Sequence, residues 1–194
     1  MRNLMRWIAL LGFAFGIHMA SSVLALAQSA PAVEVGADYN YVHTNAPPDG
    51  CGCFSMQGGN AWFGYNFSRG FGVVAEVGTQ HASDIRSSGE DLTLTSYLFG
   101  PRYSWHKSGH LAPFGQVLLG GAHATGSFAD AGFADSSNAF AMIAGGGLDI
   151  GITRHIGIRA FEADYYLTHF DNGLNNRQNN LRIGAGVIFR FGEK

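Results

Sequence analysis

Charged residues are scarce in this sequence. Asp, Glu, Lys and Arg make up 13% of its 194 residues, and only two are lysines, Lys107 and Lys194. A water-soluble surface usually requires about a quarter or more charged residues in the chain, so this composition argues against an ordinary soluble domain. The net charge is −2 and no basic cluster stands out, which argues against a nucleic-acid partner. The length indicates a single domain.

Long apolar runs are absent after the N terminus. Residues 1–27 have the pattern of a secretory signal, with Arg2 and Arg6 before an apolar stretch and the small-residue site Ala25-Leu26-Ala27 at its end. Cleavage after Ala27 would start the mature chain at Gln28. An uncleaved membrane anchor is the alternative, because the apolar part approaches the length that spans a bilayer. No later segment has 18 continuous apolar residues, so further membrane insertion would have to use strands.

Cysteine is nearly absent as well, and the only two, Cys51 and Cys53, are separated by a single residue. An exported compartment favours oxidation. A disulfide across one intervening residue is strained, however, because the two Cα atoms and Cβ vectors are poorly placed. We expect a local disulfide that stiffens a loop, with a metal-binding pair or two free thiols as alternatives.

The last segment of the chain alternates in a way that indicates a membrane strand. Between residues 181 and 191 every second residue is apolar, and the intervening positions are mostly glycine and arginine. In a strand these sets lie on opposite faces, so one face suits lipid and the other suits a crowded polar interior. Unpaired backbone groups are costly in hydrocarbon, so such a strand must close a barrel against the first strand.

Seven further segments alternate, and the connections between segments alternate in length. Together with the last one, the eight segments are residues 33–45, 60–68, 71–83, 94–105, 111–125, 138–152, 156–170 and 181–191. Long polar connections lie at 46–59, 84–93, 127–137 and 171–179, and short ones at 68–70, 106–110 and 153–155. This pattern predicts an all-β, eight-stranded antiparallel up-and-down transmembrane β-barrel over residues 31–194, with both termini on the short-turn side.

A secreted lipocalin-like barrel has the same period of two, with its apolar face inward. Its outer face would need Lys, Glu and Thr. Here the second face is rich in glycine, serine and other small residues, and lysine is almost missing. This composition suits a narrow packed lumen better than a water-exposed surface.

Charged residues of both signs are predicted to face the lumen. The set comprises Glu76, Arg102, Asp149, Glu162, Asp164, Arg182 and Arg190. Eight strands enclose an interior that side chains can fill, and charges buried there should pair. We expect a salt-bridged plug rather than a gated ion path or a catalytic dyad, with Arg182 and Arg190 fixing the register at closure.

The seventh segment departs from the alternation. Glu162 and Asp164 share a face, whereas Arg159 falls on the other one. A bulge near Phe161 would reconcile them, and so would an arginine that snorkels to an interface. The sequence leaves both explanations open.

Four histidines lie near the ends of the odd-numbered segments: His43, His81, His123 and His169. By parity all four project outward, from strands that do not neighbour one another, so they cannot converge on one metal ion. We predict no metal site and no cofactor. We expect instead that the four imidazoles ring the outer headgroup level of the membrane.

Aromatic residues are predicted to form girdles at both interfaces. Those at the periplasmic level are Phe67, Phe71, Tyr103, Trp105, Phe189 and Phe191, and those at the outer level are Tyr41 and Phe63. A ligand-stacking role is the rival interpretation.

Catalysis has little support in the sequence. Some small barrels modify lipid A with a His, a Ser and an acid, and His123 does lie near the hydroxyls of Thr125 and Ser127. No acid is placed beside them, so no catalytic residue is predicted.

Three short motifs accompany the leader and the eight alternating segments: Tyr-Leu-Phe-Gly-Pro-Arg-Tyr-Ser at 97–104, Pro-Phe-Gly-Gln at 113–116 and the closing Ile-Phe-Arg-Phe at 188–191. With these features the chain resembles the outer-membrane β-barrel domain family of OmpA- and OmpX-like small barrels. In that family the final residue is often an aromatic recognised by the assembly machinery, whereas here three residues follow Phe191. No peptidoglycan-binding domain follows the barrel, so the resemblance implies no such anchor.

The expected function is that of a non-enzymatic integral protein of the bacterial outer membrane, with a role in envelope integrity or surface interaction. A narrow channel and a loop-mediated adhesin are the alternatives, and a lipid A-modifying enzyme is a remote one. The expected partners are outer-membrane lipids, lipopolysaccharide and, during insertion, the barrel-assembly machinery. We expect a monomer with extracellular loops and periplasmic termini. No sequence feature identifies what the loops bind.

Overall fold

The protein is a closed antiparallel barrel whose eight strands are connected in chain order. The computed structural model describes residues 31–44, 53–68, 70–87, 89–105, 110–128, 134–171 and 176–193. The strands are β1 (Pro31–His43), β2 (Ser55–Ser68), β3 (Phe71–Ala82), β4 (Glu90–Ser104), β5 (Leu111–Phe128), β6 (Ala134–Gly151), β7 (Ile156–Thr168) and β8 (Gln178–Glu193), with a short 3₁₀ helix at Ile85–Ser87. The predicted fold is confirmed. The predicted signal segment, residues 1–27, lies outside the described residues.

Pairing between β1 and β8 closes the barrel and brings Pro31 and Glu193 together. Pro31 pairs with Glu193, and His43 pairs with Leu181 at the far end of the same two strands. Closure leaves no row of unpaired backbone groups along the wall, which is the condition for a sheet to cross hydrocarbon. Within the described ranges no helix has the length and apolarity needed to cross a membrane.

The outer face of the barrel exposes large apolar side chains, whereas the buried charged side chains lie inside. Large hydrophobic residues on every strand are exposed, among them Phe63, Phe99 and Phe189, while the carboxylates of Glu76 and Glu162 lie inside and are almost inaccessible. This is the reverse of a soluble barrel, whose apolar face is turned inward. The lipocalin-like alternative is therefore excluded.

The seventh strand contains a bulge. Register shifts occur in both of its pairings at this point, between Arg159 and Glu162 on the β8 side and opposite Leu148 and Asp149 on the β6 side. The side chains of residues 160 and 161 both face outward, which returns Arg159 to the lumen, where it is 1% exposed. The sequence left open a bulge near Phe161 and an arginine that snorkels to an interface, and the structure shows the bulge.

Five strands, β2, β4, β5, β6 and β8, are longer than the sequence pattern predicts. β2 begins at Ser55 rather than residue 60, because Gly58 and Gly59 pair with both neighbouring strands instead of forming a loop. β5 and β6 each have 18 residues and pair as far as Ser127 and Ala134, so most of the connection predicted at 127–137 is a hairpin.

Aromatic residues contact one another at the end of the barrel that contains Pro31 and Glu193, which we call the terminal end. The ring centroids of Phe71 and Tyr103 are 4.6 Å apart, as are those of Tyr103 and Trp105, and both pairs are edge-to-face. Such pairs are favourable beyond their buried area. The other predicted members of this girdle, Phe67, Phe189 and Phe191, are exposed on the outer face.

Phe63 does not lie at the opposite rim, where the sequence pattern places it. It pairs with Val35 and Ala75, in the middle of the strand wall. The prediction is wrong because β2 begins five residues earlier than the pattern suggests, which moves Phe63 away from the rim. Tyr41 does lie towards that rim, and its hydroxyl is 2.6 Å from Ser55 Oγ.

Candidate functional site

Arg159 is the centre of one cluster of buried charges in the lumen. Its guanidinium lies 3.1 Å from Asp38 Oδ2, 3.0 Å from Asp149 Oδ1 and 2.5 Å from Glu162 Oε2. These carboxylates come from β1, β6 and β7, so one arginine joins three strands. Charge-assisted hydrogen bonds of this kind are the strong ones, and Arg can satisfy several acceptors with its five N–H groups.

Arg182, on β8, is the centre of a second cluster. It forms an ion pair with Glu76 on β3, across the barrel, and its Nη2 lies 3.0 Å from Glu162 Oε1 and 2.8 Å from Asp164 Oδ2. Glu162 therefore receives hydrogen bonds from both arginines and links the two clusters. We call the connected set of Asp38, Glu76, Asp149, Arg159, Glu162, Asp164 and Arg182 the luminal ion network.

Arg102 differs from the expectation that each luminal charge pairs with an opposite one. Among the described residues it makes no ion pair with a carboxylate. It donates instead to Gln116 Oε1 through Nε at 3.0 Å and through Nη2 at 2.8 Å. Gln116 in turn donates to Glu162 at 2.9 Å, so a neutral amide connects Arg102 to the network.

Two aromatic rings, those of Trp62 and Phe114, contact both Arg102 and Arg159. The guanidinium carbon of Arg102 lies 4.3 Å from the Trp62 ring centroid and 4.7 Å from that of Phe114, and Arg159 lies 4.5 Å and 4.3 Å from the same rings. Cation–π contacts are strongest where the cation is desolvated, as here. This arrangement explains how two arginines are tolerated close together.

Arg190 lies apart from the network, near the terminal end. Its Nε donates to Glu34 Oε1 at 3.0 Å, and the two residues are directly opposite each other in the β1–β8 pairing. The Arg190 side chain is 12% exposed, more than those of the two central arginines. The last strand therefore contacts β1 through Arg190, and β7 and β3 through Arg182.

Three charged luminal residues are missing from the set predicted from the sequence: Glu34, Asp38 and Arg159. Glu34 and Asp38 lie at alternate positions on the luminal face of β1, so the alternation of the sequence could have predicted both. Arg159 has the wrong parity for its neighbours, and only the bulge returns it to the lumen. Its central position could not be read from a regular period of two.

Apolar side chains fill the lumen on the side of the long connections. Val42, Met56 and Leu94 are buried there, and Phe54 and Phe170 pack against them. Ile188 and Val74 are buried towards the terminal side. These residues belong to one buried apolar cluster that shares the lumen with the ion network, as expected for an interior that side chains fill.

Glycines opposite large luminal side chains provide the space for them. A Cβ on Gly36 would overlap the Trp62 ring, one on Gly186 would overlap Asp38, and one on Gly145 would overlap Asp164. Each of these glycines is paired with that residue across the sheet. The glycine content of the luminal face is therefore a packing requirement of its bulky polar side chains.

The four histidines lie on the outer side of the barrel, in the half away from Pro31 and Glu193. His43 and His81 lie at the ends of β1 and β3, and His169 directly follows β7. His123 lies within β5, which continues beyond it to Phe128. His43 Nδ1 is 3.3 Å from Ser55 Oγ, His81 Nδ1 is 2.9 Å from Thr93 Oγ1, and His123 Nδ1 is 2.8 Å from Asn138 Oδ1. The ring of His169 makes an edge contact with Phe140 at 5.8 Å. The described part of the chain contains no group of three Asp, Glu, His or Cys residues suited to a metal ion.

Among the residues that the structure describes, no acid is hydrogen-bonded to His123, the residue considered for catalysis. His123 contacts the amide oxygen of Asn138 and, through Nε2 at 3.3 Å, the Thr125 hydroxyl. A catalytic base of the Ser-His-acid type needs a carboxylate or similar group to orient the imidazole. The geometry around His123 is that of polar pairing between neighbouring strands.

Cys53 is exposed. Cys51 lies outside the described residues, so the local disulfide between the two cysteines stays a prediction.

Comparison with known proteins agrees with this geometry. The model of the outer membrane protein beta-barrel domain family matches residues 11–189. Neisserial surface protein A superposes with a TM-score of 0.61 at 14% identity, covering 85% of this chain and 100% of that one. The attachment invasion locus protein Ail of Yersinia pestis gives 0.56 at 20% identity, covering 81% and 98%.

The N-terminal β-barrel domain of Pseudomonas aeruginosa OprF has a TM-score of 0.50 at 17% identity and covers 84% of this chain and 100% of that domain. No curated protein matches the sequence. At these identities the superpositions bear on the fold, whereas the family match spans nearly the whole chain. The chain belongs to the outer membrane protein beta-barrel domain family.

Proposed function

We propose that this protein is a non-enzymatic, non-conducting component of the bacterial outer membrane that contributes to envelope integrity and presents its long connections at the cell surface. The observation that carries the proposal is the filled lumen. The luminal ion network crosses the barrel from β1 to β8 and to β3, and a cluster of buried apolar side chains occupies the lumen with it. A conducting path would need water where these side chains lie.

The orientation rests on the longest connections, which join β1 to β2 and β7 to β8 at the end of the barrel away from Pro31 and Glu193. In bacterial barrels the short turns are periplasmic and the longer loops are external. The termini and the turn between Ser68 and Phe71 would then face the periplasm, and Cys53 and the four histidines would face the outer leaflet. Outer-membrane lipids and lipopolysaccharide are the partners proposed there, with the imidazoles at headgroup level and the assembly machinery acting during insertion.

The test combines heat modifiability with single-channel recording in planar bilayers. We expect the unheated protein to migrate differently from the boiled protein on a gel, and the inserted barrel to show no conductance steps. The double variant Glu76→Ala/Arg182→Ala, which removes the pair that crosses the barrel, serves as the comparison. If the unmodified protein conducts as well as this variant, the closed-lumen proposal is wrong.

A second candidate, surface attachment, is favoured by one feature of the sheet. β5 and β6 remain paired as far as Ser127 and Ala134, whereas β6 pairs with β7 only as far as Ala141. The β5–β6 hairpin therefore extends beyond the end of β7. A projecting strand is a surface to which an extended segment of another protein can add.

Shortening this hairpin tests attachment. Replacement of residues 126–135 by Asn-Gly, which favours a tight two-residue turn, is expected to abolish adherence of expressing cells while heat modifiability is retained. A control replaces only residues 129–133 with Gly and Ser at equal length and leaves both strands intact. Undiminished adherence of the shortened variant would contradict the adhesin proposal.

A further inference from the structure

A groove crosses the outer face of the barrel from β1 to β5. Its volume is about 660 Å³. The outward side chains of Ala61 and Ala75 form its floor, and Phe63, Tyr97 and Phe99 stand at its sides, each at least half exposed. Because the groove lies within the lipid-facing belt, the material that contacts it is hydrocarbon. We call it the β2–β4 groove.

The belt of outward-facing apolar side chains is unusually short on β3, one of the strands that form this groove. On β3 the outward apolar positions run only from Phe71 to Val77, which is roughly 20 Å along the strand and roughly 15 Å in height at a tilt near 40°. On β8 they run from Phe191 to Leu181, roughly 25 Å in height by the same reckoning. Only the second value matches the usual height of a lipid-facing belt, about 25 Å.

Hydrogen-bonding side chains occupy the outer face where the belt is short. Gln57 accepts from the Tyr39 hydroxyl at 2.5 Å, the hydroxyls of Thr79 and Thr95 are 3.2 Å apart, and His81 is 2.9 Å from Thr93. Each retains donor or acceptor capacity beyond these contacts. We call Gln57, Thr79, His81, Thr93 and Thr95 the polar patch. It begins directly above Ala61 and Val77.

The depth of the polar patch implies a particular neighbour. Polar groups facing hydrocarbon are costly, so a lipid whose own polar part reaches this depth is favoured there over one whose headgroup stays higher. Neutral hydroxyl, amide and imidazole groups both donate and accept, which matches the hydroxyls of a sugar. Phosphatidylethanolamine donates through its ammonium and accepts at its phosphate and ester oxygens, but it has no hydroxyl group that does both.

We propose that the β2–β4 groove and the polar patch form a binding site for one glycolipid of the lipopolysaccharide type, with an acyl chain in the groove and the acylated sugar against Thr79, His81 and Thr95. The proposal rests on the proposed orientation of the barrel, with the long connections at the outer leaflet. It goes beyond the proposed histidine ring because it places the lipid on one side of the barrel and includes a binding groove for its acyl chain.

The test is native mass spectrometry of the full chain, as processed by the cell and extracted in mild detergent. Purified lipid A or a palmitoyl-oleoyl phosphatidylethanolamine is added in titration. Ala61→Phe/Ala75→Phe fills the groove, and Thr79→Val/Thr95→Val removes two hydroxyls at nearly constant volume. Ala163→Phe is the matched control, because Ala163 also faces outward but lies on β7.

We expect one lipid A molecule to bind the unmodified chain in preference to the phospholipid. Filling the groove should weaken lipid A binding about tenfold, since loss of contact with about two methylene groups is sufficient. The threonine variant should lose the preference for lipid A, and the control should bind normally. Equal lipid A affinity in the groove-filled variant, or equal affinity of the unmodified chain for both lipids, would overturn the proposal.

Failure of the site and failure of the membrane placement give different results. If the barrel is heat-modifiable and inserts into vesicles but binds neither lipid in preference, only the glycolipid site is wrong. If the unmodified chain is soluble without detergent, the proposed function is wrong as well.

Discussion

Replacement of Arg159 by Met is expected to lower the free energy of unfolding by about 3–5 kcal/mol, because it leaves buried carboxylates without their partner. Arg159 contacts Asp38, Asp149 and Glu162, and its own side chain is inaccessible to solvent. The described luminal residues include six carboxylates and four arginines, so the loss of one arginine worsens an existing excess of acid. The measurement is urea unfolding in lipid vesicles, followed by tryptophan fluorescence and heat modifiability.

Arg190→Met is the matched control. Arg190 contacts one carboxylate, Glu34, and is partly exposed, so its replacement should cost less than half as much. Comparable losses in the two variants would show that position in the network does not matter and would contradict the prediction. A second check is Arg159→Met/Asp149→Asn, which should recover part of the lost stability, because the penalty arises from uncompensated charge rather than from lost volume.

The strand alternation predicts the architecture because it reports the face on which each residue lies. Glu76 and Arg182 are assigned to the lumen in this way, and both are buried there. Alternation does not report which luminal residues meet across the barrel. Arg182 and Glu76 are on β8 and β3, which are not neighbours in the sheet, and their contact depends on how narrow the closed barrel is.

Arg159 and Arg102 show two physical limits of the sequence pattern. A bulge changes parity for the rest of its strand, so a regular period of two along β7 puts the central arginine of the network on the wrong face. Arg102 is placed correctly in the lumen, but its partners are the amide of Gln116 and two aromatic rings. Pairing by charge alone cannot predict a neutral partner.

The glycines of the luminal face hold information that composition alone does not reveal. Gly36 is paired with Trp62 across β1 and β2, and the indole lies over the Cα of the glycine, where a Cβ would otherwise be. Trp62 Nε1 donates to Asp38 Oδ2 at 2.8 Å, and its ring contacts Arg102 and Arg159. The position of one ring therefore depends on the absence of a side chain opposite it.

Gly36→Val is expected to prevent assembly of most molecules or, in those that fold, to lower the free energy of unfolding by about 3 kcal/mol. The added side chain would occupy the place of the Trp62 ring, and a displaced ring would lose its hydrogen bond to Asp38 and its contacts with both arginines. The measurement is the heat-modifiable fraction after insertion, with urea unfolding of that fraction.

Ala37→Val is the control for this experiment, since the neighbouring side chain faces lipid and valine is favourable in strands. It should change the free energy of unfolding by less than about 1 kcal/mol. Gly36→Val/Trp62→Leu should assemble better than Gly36→Val alone, because the smaller side chain frees the space. If Gly36→Val assembles as well as Ala37→Val, the Trp62 indole does not need a glycine opposite it. The same packing explanation for the pairs Gly186 with Asp38 and Gly145 with Asp164 would then lose its support.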